Sequence, residues 1–239
     1  MSRYFCHEHP ETLRIETGVV AAQPGRVLLK ETPFYPGGGG QLADRGRIRW
    51  AHGEVEVTGC EVRGPSIWHV LAEPVEISGT VEPVVNADFR LMMRELHTDL
   101  HIVNALVFRE FDGALVTGVQ MNDDATARID FDVPDADNDR IRALQAEIND
   151  IIRQDLPVQE TYVGQTQARE EAGLIRSRSV APPPTTDNKI RIIDIVGLDR
   201  QACGGTHLAS TGGSRPVRIL KIDNKGRHNR RIRIGLQGL

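Results

Sequence analysis

From Asp88 to Phe111 the chain runs without a glycine or a proline, and Leu96, Leu100, Val103 and Val107 recur at helical spacing. The pattern predicts one long helix, with Asp88 as its N-cap. Before it, every apolar run is short and ends at a Gly, Pro or His-Gly break. GVVAAQPGRVLLKE (18–31) reads as two strands around a Pro-Gly turn, and RGRIRW, EVEVTGCEV, SIWHVL and ISGTVEPVV read as further strands. Many short strands at such spacing favour a small barrel or sandwich. After the helix, strands and helices mix: strands over 114–121 and 126–133, a helix over 136–155, a strand at PVQETYVG, a helix over 165–174, a loop over 179–188 and an apolar strand over 189–197. A hairpin closes the chain. The expected fold class is therefore α+β, with a β-barrel-like domain over 1–87 and an α+β domain over 88–239.

Composition narrows the classes. The chain of 239 residues has no apolar run long enough for a transmembrane helix, and its N-terminus MSRYFCHEHPE has no apolar core of a secretory signal. Cys6, Cys60 and Cys203 are few and far apart, which argues against a disulfide framework and for a reducing cytoplasm. The net charge of −4 argues against general nucleic-acid affinity. The charge is nevertheless uneven: beyond residue 211, Arg215, Arg218, Lys221, Lys225, Arg227, Arg230, Arg231 and Arg233 face a single acid, Asp223. Such a basic end suggests a local anion-binding face.

The long helix contains LHTDLHI, so His97 and His101 lie at i and i+4 on one face. The segment QACGGTHLAS adds Cys203 and His207, again four apart, with two glycines that let backbone pass close to an ion. Three imidazoles and one thiolate suit tetrahedral Zn²⁺. Four protein ligands leave open whether the site is closed and structural, or has a replaceable ligand, or expands to five-coordinate. Cys6, His7 and His9 form a weaker rival cluster near the N-terminus. The stretch TPFYPGGGGQLADRG (32–46) has four consecutive glycines. It lacks the Gly-Lys-Ser/Thr ending of a phosphate loop. Thr32, Gln41 and Asp44 surround a backbone that a ligand could approach at Gly38, Gly39 and Gly40. In RIDFD, alternation puts Ile129 and Phe131 on one face and Arg128, Asp130 and Asp132 on the other.

Together, TPFY…GGGGQ…DRG, LHTDLH, RIDFD, CGGTH and NKGRHNRRIRI resemble the editing domain of alanyl-tRNA synthetase, and resemble still more its free-standing relatives of the longer AlaX type. The family pattern has alanine after His-Thr and leucines after the second histidine, where this chain has Asp99, Ile102 and Val103; its Ser-Gly-Gly-Gln is here Gly38-Gly39-Gly40-Gln41. The resemblance implies a trans-editing enzyme, serving translation fidelity, that hydrolyses mischarged tRNA(Ala), chiefly its seryl ester. Zn²⁺ on His97, His101, Cys203 and His207 would assist. Thr32 and Gln41 would be catalytic, positioning the serine side chain and the reacting water, with Gly38, Gly39, Gly40 and Asp44 binding substrate. Lys221, Lys225, Arg227, Arg230 and Arg231 would hold acceptor-stem phosphates. Two rival classes are a non-catalytic zinc-stabilised RNA-binding protein and a zinc hydrolase of small esters or peptides. The chain lacks His-Glu-x-x-His, since Thr98 stands where that motif needs glutamate.

Overall fold

The computed structural model describes residues 4–134, 137–177, 185 and 187–238. These fold into two compact units: residues 1–38 with 42–91, and residues 39–41 with 92–239.

The first unit opens with a single helical turn, α1 (Phe5–Glu8), and six strands follow: β1 (Thr17–Gln23), β2 (Arg26–Leu29), β3 (Gly46–Trp50), β4 (Gly53–Arg63), β5 (Ser66–Leu71) and β6 (Thr80–Val85). They close into an antiparallel barrel in the order β1-β2-β5-β4-β3-β6. The breakers seen in the sequence are its turns, as at Gly25, whose φ of 71° suits a residue without a Cβ. Closure leaves no unpaired edge. The barrel core is built from Val27, Leu29, Phe34, Ile48, Val55, Val57, Leu71, Val81 and Val85.

Two polar elements are sealed in this unit. Asp44, with no exposed surface, binds the guanidinium of Arg90 through Nε at 3.0 and 3.1 Å and accepts the Tyr35 amide at 2.6 Å. Arg90 Nη2 also donates to the Pro33 carbonyl at 2.8 Å. The pair therefore ties both sides of the glycine-rich loop to the start of the long helix. His69, also fully buried, bridges the Val27 carbonyl at 3.2 Å and the Thr32 hydroxyl at 2.7 Å. Burial pulls its imidazole down to about 4, only partly opposed by the bond to Val27.

The second unit holds most of α2 (Ala87–Glu110), then β7 (Leu115–Met121), β8 (Thr126–Asp132), α3 (Asn138–Arg153), β9 (Val158–Gly164), α4 (Gln165–Glu170), β10 (Lys189–Ile195), β11 (Asp199–Ala202), a 3-10 turn at Thr211–Gly213, β12 (Val217–Lys225) and β13 (Asn229–Leu236). The strands form two antiparallel sheets, β11-β10-β9 and β12-β13-β8-β7. Helix α3 packs on β12, burying Ile141, Leu144, Ile148, Ile151 and Ile152. Its Asn149 side chain both donates to and accepts from the Val217 backbone at 2.9 and 2.8 Å, and Gln145 Oε1 accepts the Ile219 amide at 2.9 Å.

The expected barrel followed by an α+β region is what forms. Several details differ. The cap of α2 is Asn86, whose Oδ1 accepts the Phe89 amide at 3.0 Å; Asp88 lies inside the first turn. The helix expected over 165–174 ends at Glu170. Strand β11 was not expected, because DRQA carries no apolar alternation; its backbone pairing to β10 makes it a strand. Of the loop expected over 179–188, residues 179–184 and 186 lie outside the described residues. No described helix is long and apolar enough to cross a membrane.

Two stability outcomes follow. Arg90→Met strands the Asp44 carboxylate and should cost about 3–5 kcal/mol in urea unfolding. His69 is neutral when folded, and its ordinary value of 6.5 is recovered on unfolding. Its contribution is therefore intact above pH 6.5 and declines as pH falls from there to about 4, at roughly 1.4 kcal/mol per pH unit. Unfolding curves of His69→Gln against wild type should show this pH slope missing in the variant.

Candidate metal centre

Helix α2 is buried nearly all round, and its polar residues Arg94, Glu95, Thr98, Asp99 and Asn104 are buried with its apolar ones. His97 and His101 project from it one turn apart, 5% and 8% exposed, with ring centroids 5.4 Å apart. The other two residues arrive on the loop that leaves β11. Arg191 on β10 fixes this loop, donating to the carbonyls of Cys203 at 3.2 Å and Gly205 at 2.8 Å while paired with Glu160 at 2.6 Å. Cys203 Sγ then lies 3.2 Å from His97 Nε2 and 3.3 Å from His207 Nε2. One ligand atom from each of His97, His101, Cys203 and His207 falls within 4.8 Å of the others, and this is the one group of its kind among the described residues. The rival set at Cys6, His7 and His9 forms no such group.

Burial dominates the electrostatics. It holds His97 well below the ordinary imidazole value, helped by repulsion from His101 and Arg191. It takes His101 down to about 3, with Arg176 and Arg191 adding to the effect. It pushes the Cys203 thiol up, against the Gly205 amide and Arg191, which favour the thiolate. The imidazoles of His97 and His101 are thus neutral, with lone pairs suited to ligation. The donor set contains no carboxylate and no resident cation. A thiolate in this setting is favoured by positive charge beyond that of Arg191, and a divalent ion at the centre would supply it. The residues fit a metal ion, and N₃S donors are those of a borderline-soft metal.

Around the donors lies a shell of hydrogen bonds. Gln41, 3% exposed, places Oε1 at 2.8 Å from His97 Nδ1 and 2.9 Å from the Thr206 amide, and donates from Nε2 to Thr206 Oγ1 at 2.8 Å. His207 Nδ1 is 3.4 Å from Thr98 Oγ1, which also accepts the Leu208 amide at 3.1 Å. Arg94 Nε donates to the His207 carbonyl. The Gln201 side chain donates to the His101 carbonyl at 3.2 Å and to Asp199 at 2.6 Å. Sequence reasoning missed Thr98, Arg94, Arg191 and Gln201 in these roles. Arg191 had a signal, as a charge set between Ile190 and Ile192 in KIRIIDI. Asp99 lies on the opposite side of α2 from the histidines, yet it is buried and accepts the Ser214 hydroxyl at 2.9 Å.

Gln41 and the four donors are brought together, with Gly39 and Gly40 in the same unit. Gly40 lies against Val119, and the Met121 amide donates to its carbonyl at 2.8 Å. Thr32, Gly38 and Asp44 belong to the barrel unit, where Asp44 is occupied by Arg90. On the hairpin, Lys221 pairs with Asp223 at 2.7 Å and Arg231 binds Asp130 at 2.7 Å. Lys225 and Arg227 are exposed at the tip. Arg230 shares the parity of the buried Ile232 and Ile234 and is itself 8% exposed.

Comparison with known proteins agrees with this construction. A model described as tRNA synthetases class II (A) matches residues 7–89, and one described as the threonyl and alanyl tRNA synthetase second additional domain matches residues 190–233. The alanyl-tRNA editing protein AlaX-M of Saccharolobus solfataricus is 33% identical, over 91% of this chain and 91% of its own length. The chain belongs to the AlaX-M family. The AlaX-M protein of Methanosarcina acetivorans is 31% identical over 86% of each chain. The alanine–tRNA ligase of Korarchaeum cryptofilum is 28% identical over 90% of this chain, which spans only 24% of that ligase. The AlaX-M likeness thus covers both units described above.

Gly205 offers a sharp test of the centre. A Cβ there would sit 2.0 Å from His97 Cε1 and 2.8 Å from Gln41 Oε1. Gly205→Ala must displace His97, so titration with a chromophoric chelator should show metal affinity at least about tenfold weaker than wild type. Gly164→Ala, where the added atom meets nothing within 4 Å and the backbone φ of −61° suits any residue, controls for glycine replacement as such.

Proposed function

We propose that this protein is a trans-editing deacylase that hydrolyses tRNA(Ala) mischarged with serine, using zinc held by His97, His101, Cys203 and His207. The observation that carries the reading most is the convergence of these four donors within 4.8 Å in a chain of the AlaX-M family. Such an enzyme answers a physical need. A pocket sized for alanine rejects serine poorly, because serine merely adds a hydroxyl, whereas a site that must hydrogen-bond that hydroxyl can reject alanine strongly.

When bound, zinc supplies positive charge to polarise an ester carbonyl or to lower the pKa of a water. The chain's own residues do the rest. Burial of the four donors excludes bulk water and strengthens every polar contact there. Thr32 donates its hydroxyl hydrogen bond to His69 Nε2, because burial keeps that imidazole neutral and Nδ1–H donates to Val27. The Thr32 oxygen accepts the Phe34 amide at 3.2 Å and keeps a second lone pair suited to a donor such as the serine hydroxyl. Gly38, Gly39 and Gly40 give the substrate bare backbone to approach. Lys221, Lys225, Arg227 and Arg231 supply cations for acceptor-stem phosphates; Arg230, on the buried face of β13, supports the hairpin from beneath.

The test is deacylation of tRNA(Ala) charged with serine or with alanine, by wild type and Cys203→Ala, with zinc content measured alongside. Wild type should cleave the seryl ester at least about 100-fold faster than the alanyl ester. Cys203→Ala should lose both the metal and the activity. Zinc-loaded wild type that spares both esters while binding tRNA would mark a zinc-stapled RNA-binding protein instead.

A further inference from the structure

The glycine-rich loop contains one side chain that reaches the donor cluster, and its bonds are specific. Gln41 Oε1 faces two groups at once, the backbone N–H of Thr206 at 2.9 Å and Nδ1 of His97 at 2.8 Å. The first contact fixes the orientation of the amide, since rotating it by half a turn would set N–H against N–H. The group facing His97 is therefore an oxygen, which can only accept. Nδ1 of His97 must carry the ring proton, and Nε2 must carry the lone pair. Nε2 is the atom 3.2 Å from Cys203 Sγ, inside the donor cluster.

The loop is shaped to make this delivery. Gly40 has a φ of 84°, and a Cβ there would lie 2.6 Å from the Val119 side chain and 2.8 Å from its carbonyl oxygen. Only glycine allows the backbone so close to β7, and the Met121 amide locks it there through the Gly40 carbonyl. The next residue is Gln41, which is almost wholly buried.

We propose that Gln41 is a positioning residue of the metal centre, acting through His97. Its carboxamide selects the Nδ1-protonated tautomer and aims Nε2 at the ion, and the glycine-rich loop serves to deliver it. A metal-bound histidine whose second nitrogen donates to a carbonyl oxygen is better oriented and more basic than one without that partner. The inference rests on the reading of the four donors as a metal centre.

The experiment uses the full chain, stripped and reloaded with zinc or cobalt(II). Gln41→Leu removes the acceptor, while Gln41→Glu restores an oxygen facing His97. Competition with a chromophoric chelator should show Gln41→Leu binding either metal about 10–100-fold more weakly than wild type, with shifted cobalt(II) ligand-field bands. Gln41→Glu should return the affinity to within a few-fold of wild type. Affinity and spectrum unchanged in Gln41→Leu, or no rescue by Gln41→Glu, overturns the proposal. Should Gln41→Leu fail to fold, the zinc-loaded wild type still decides: nitrogen-15 correlation spectra must show His97 protonated at Nδ1 and ligating through Nε2, and the opposite tautomer refutes the role. A wild type that takes up neither metal overturns the metal centre itself, and this inference with it. A wild type that binds, with indifferent variants, overturns only the part given to Gln41.

Discussion

The centre depends on a contact made by a residue with no side chain. His97 lies where a Cβ on Gly205 would be, 2.0 Å from its ring carbon. This missing methyl lets the loop after β11 close on α2 and bring Cys203 to the histidines. The same space admits Gln41 Oε1, which would stand 2.8 Å from that Cβ. Ligand, loop and supporting amide share one volume, so each depends on the others for its position. Arg191 holds the loop carbonyls from the far side, its own charge met by Glu160.

Connectivity makes the centre a long-range closure. His97 and Cys203 are 106 residues apart, and Gln41 and Thr206 are 165 apart. An ion held by α2 and by the loop beyond β11 would bind the folded chain and not the unfolded one, so its binding free energy would add to folding. The neutral state of His97 and His101 would favour such an ion for a second reason, since a cation would engage ring lone pairs already desolvated by burial.

The four donors were more legible in the sequence than their surroundings. His97 and His101 were legible because helical periodicity fixes their face, and Cys203 and His207 because two glycines mark a close approach. The barrel was legible from its breakers. What eluded reading was set at a distance. Nothing near Gln41 announces Thr206 or His97, and nothing in DRQA announces a strand until β10 pairs with it. Asp99 lies across α2 from the histidines, but both sides of the helix are buried, so its carboxylate meets Ser214 rather than water, which helical periodicity alone does not reveal. Arg230 was counted with the basic residues of the hairpin. Alternation with Ile232 and Ile234 was available to show that it turns inward, and charge counting alone overlooked it.

The amide side chains of α3 carry a consequence for the molecule in a crowded solution. Strand β12 ends its sheet, and such a strand ordinarily offers its free backbone as a template to any extended chain nearby. Here Asn149 and Gln145 imitate the missing neighbour, meeting the Val217 amide and carbonyl and the Ile219 amide as a further strand would. Over Val217–Ile219 the sheet is terminated by its own helix, which blocks strand-swapped or fibrillar growth along that part of its edge.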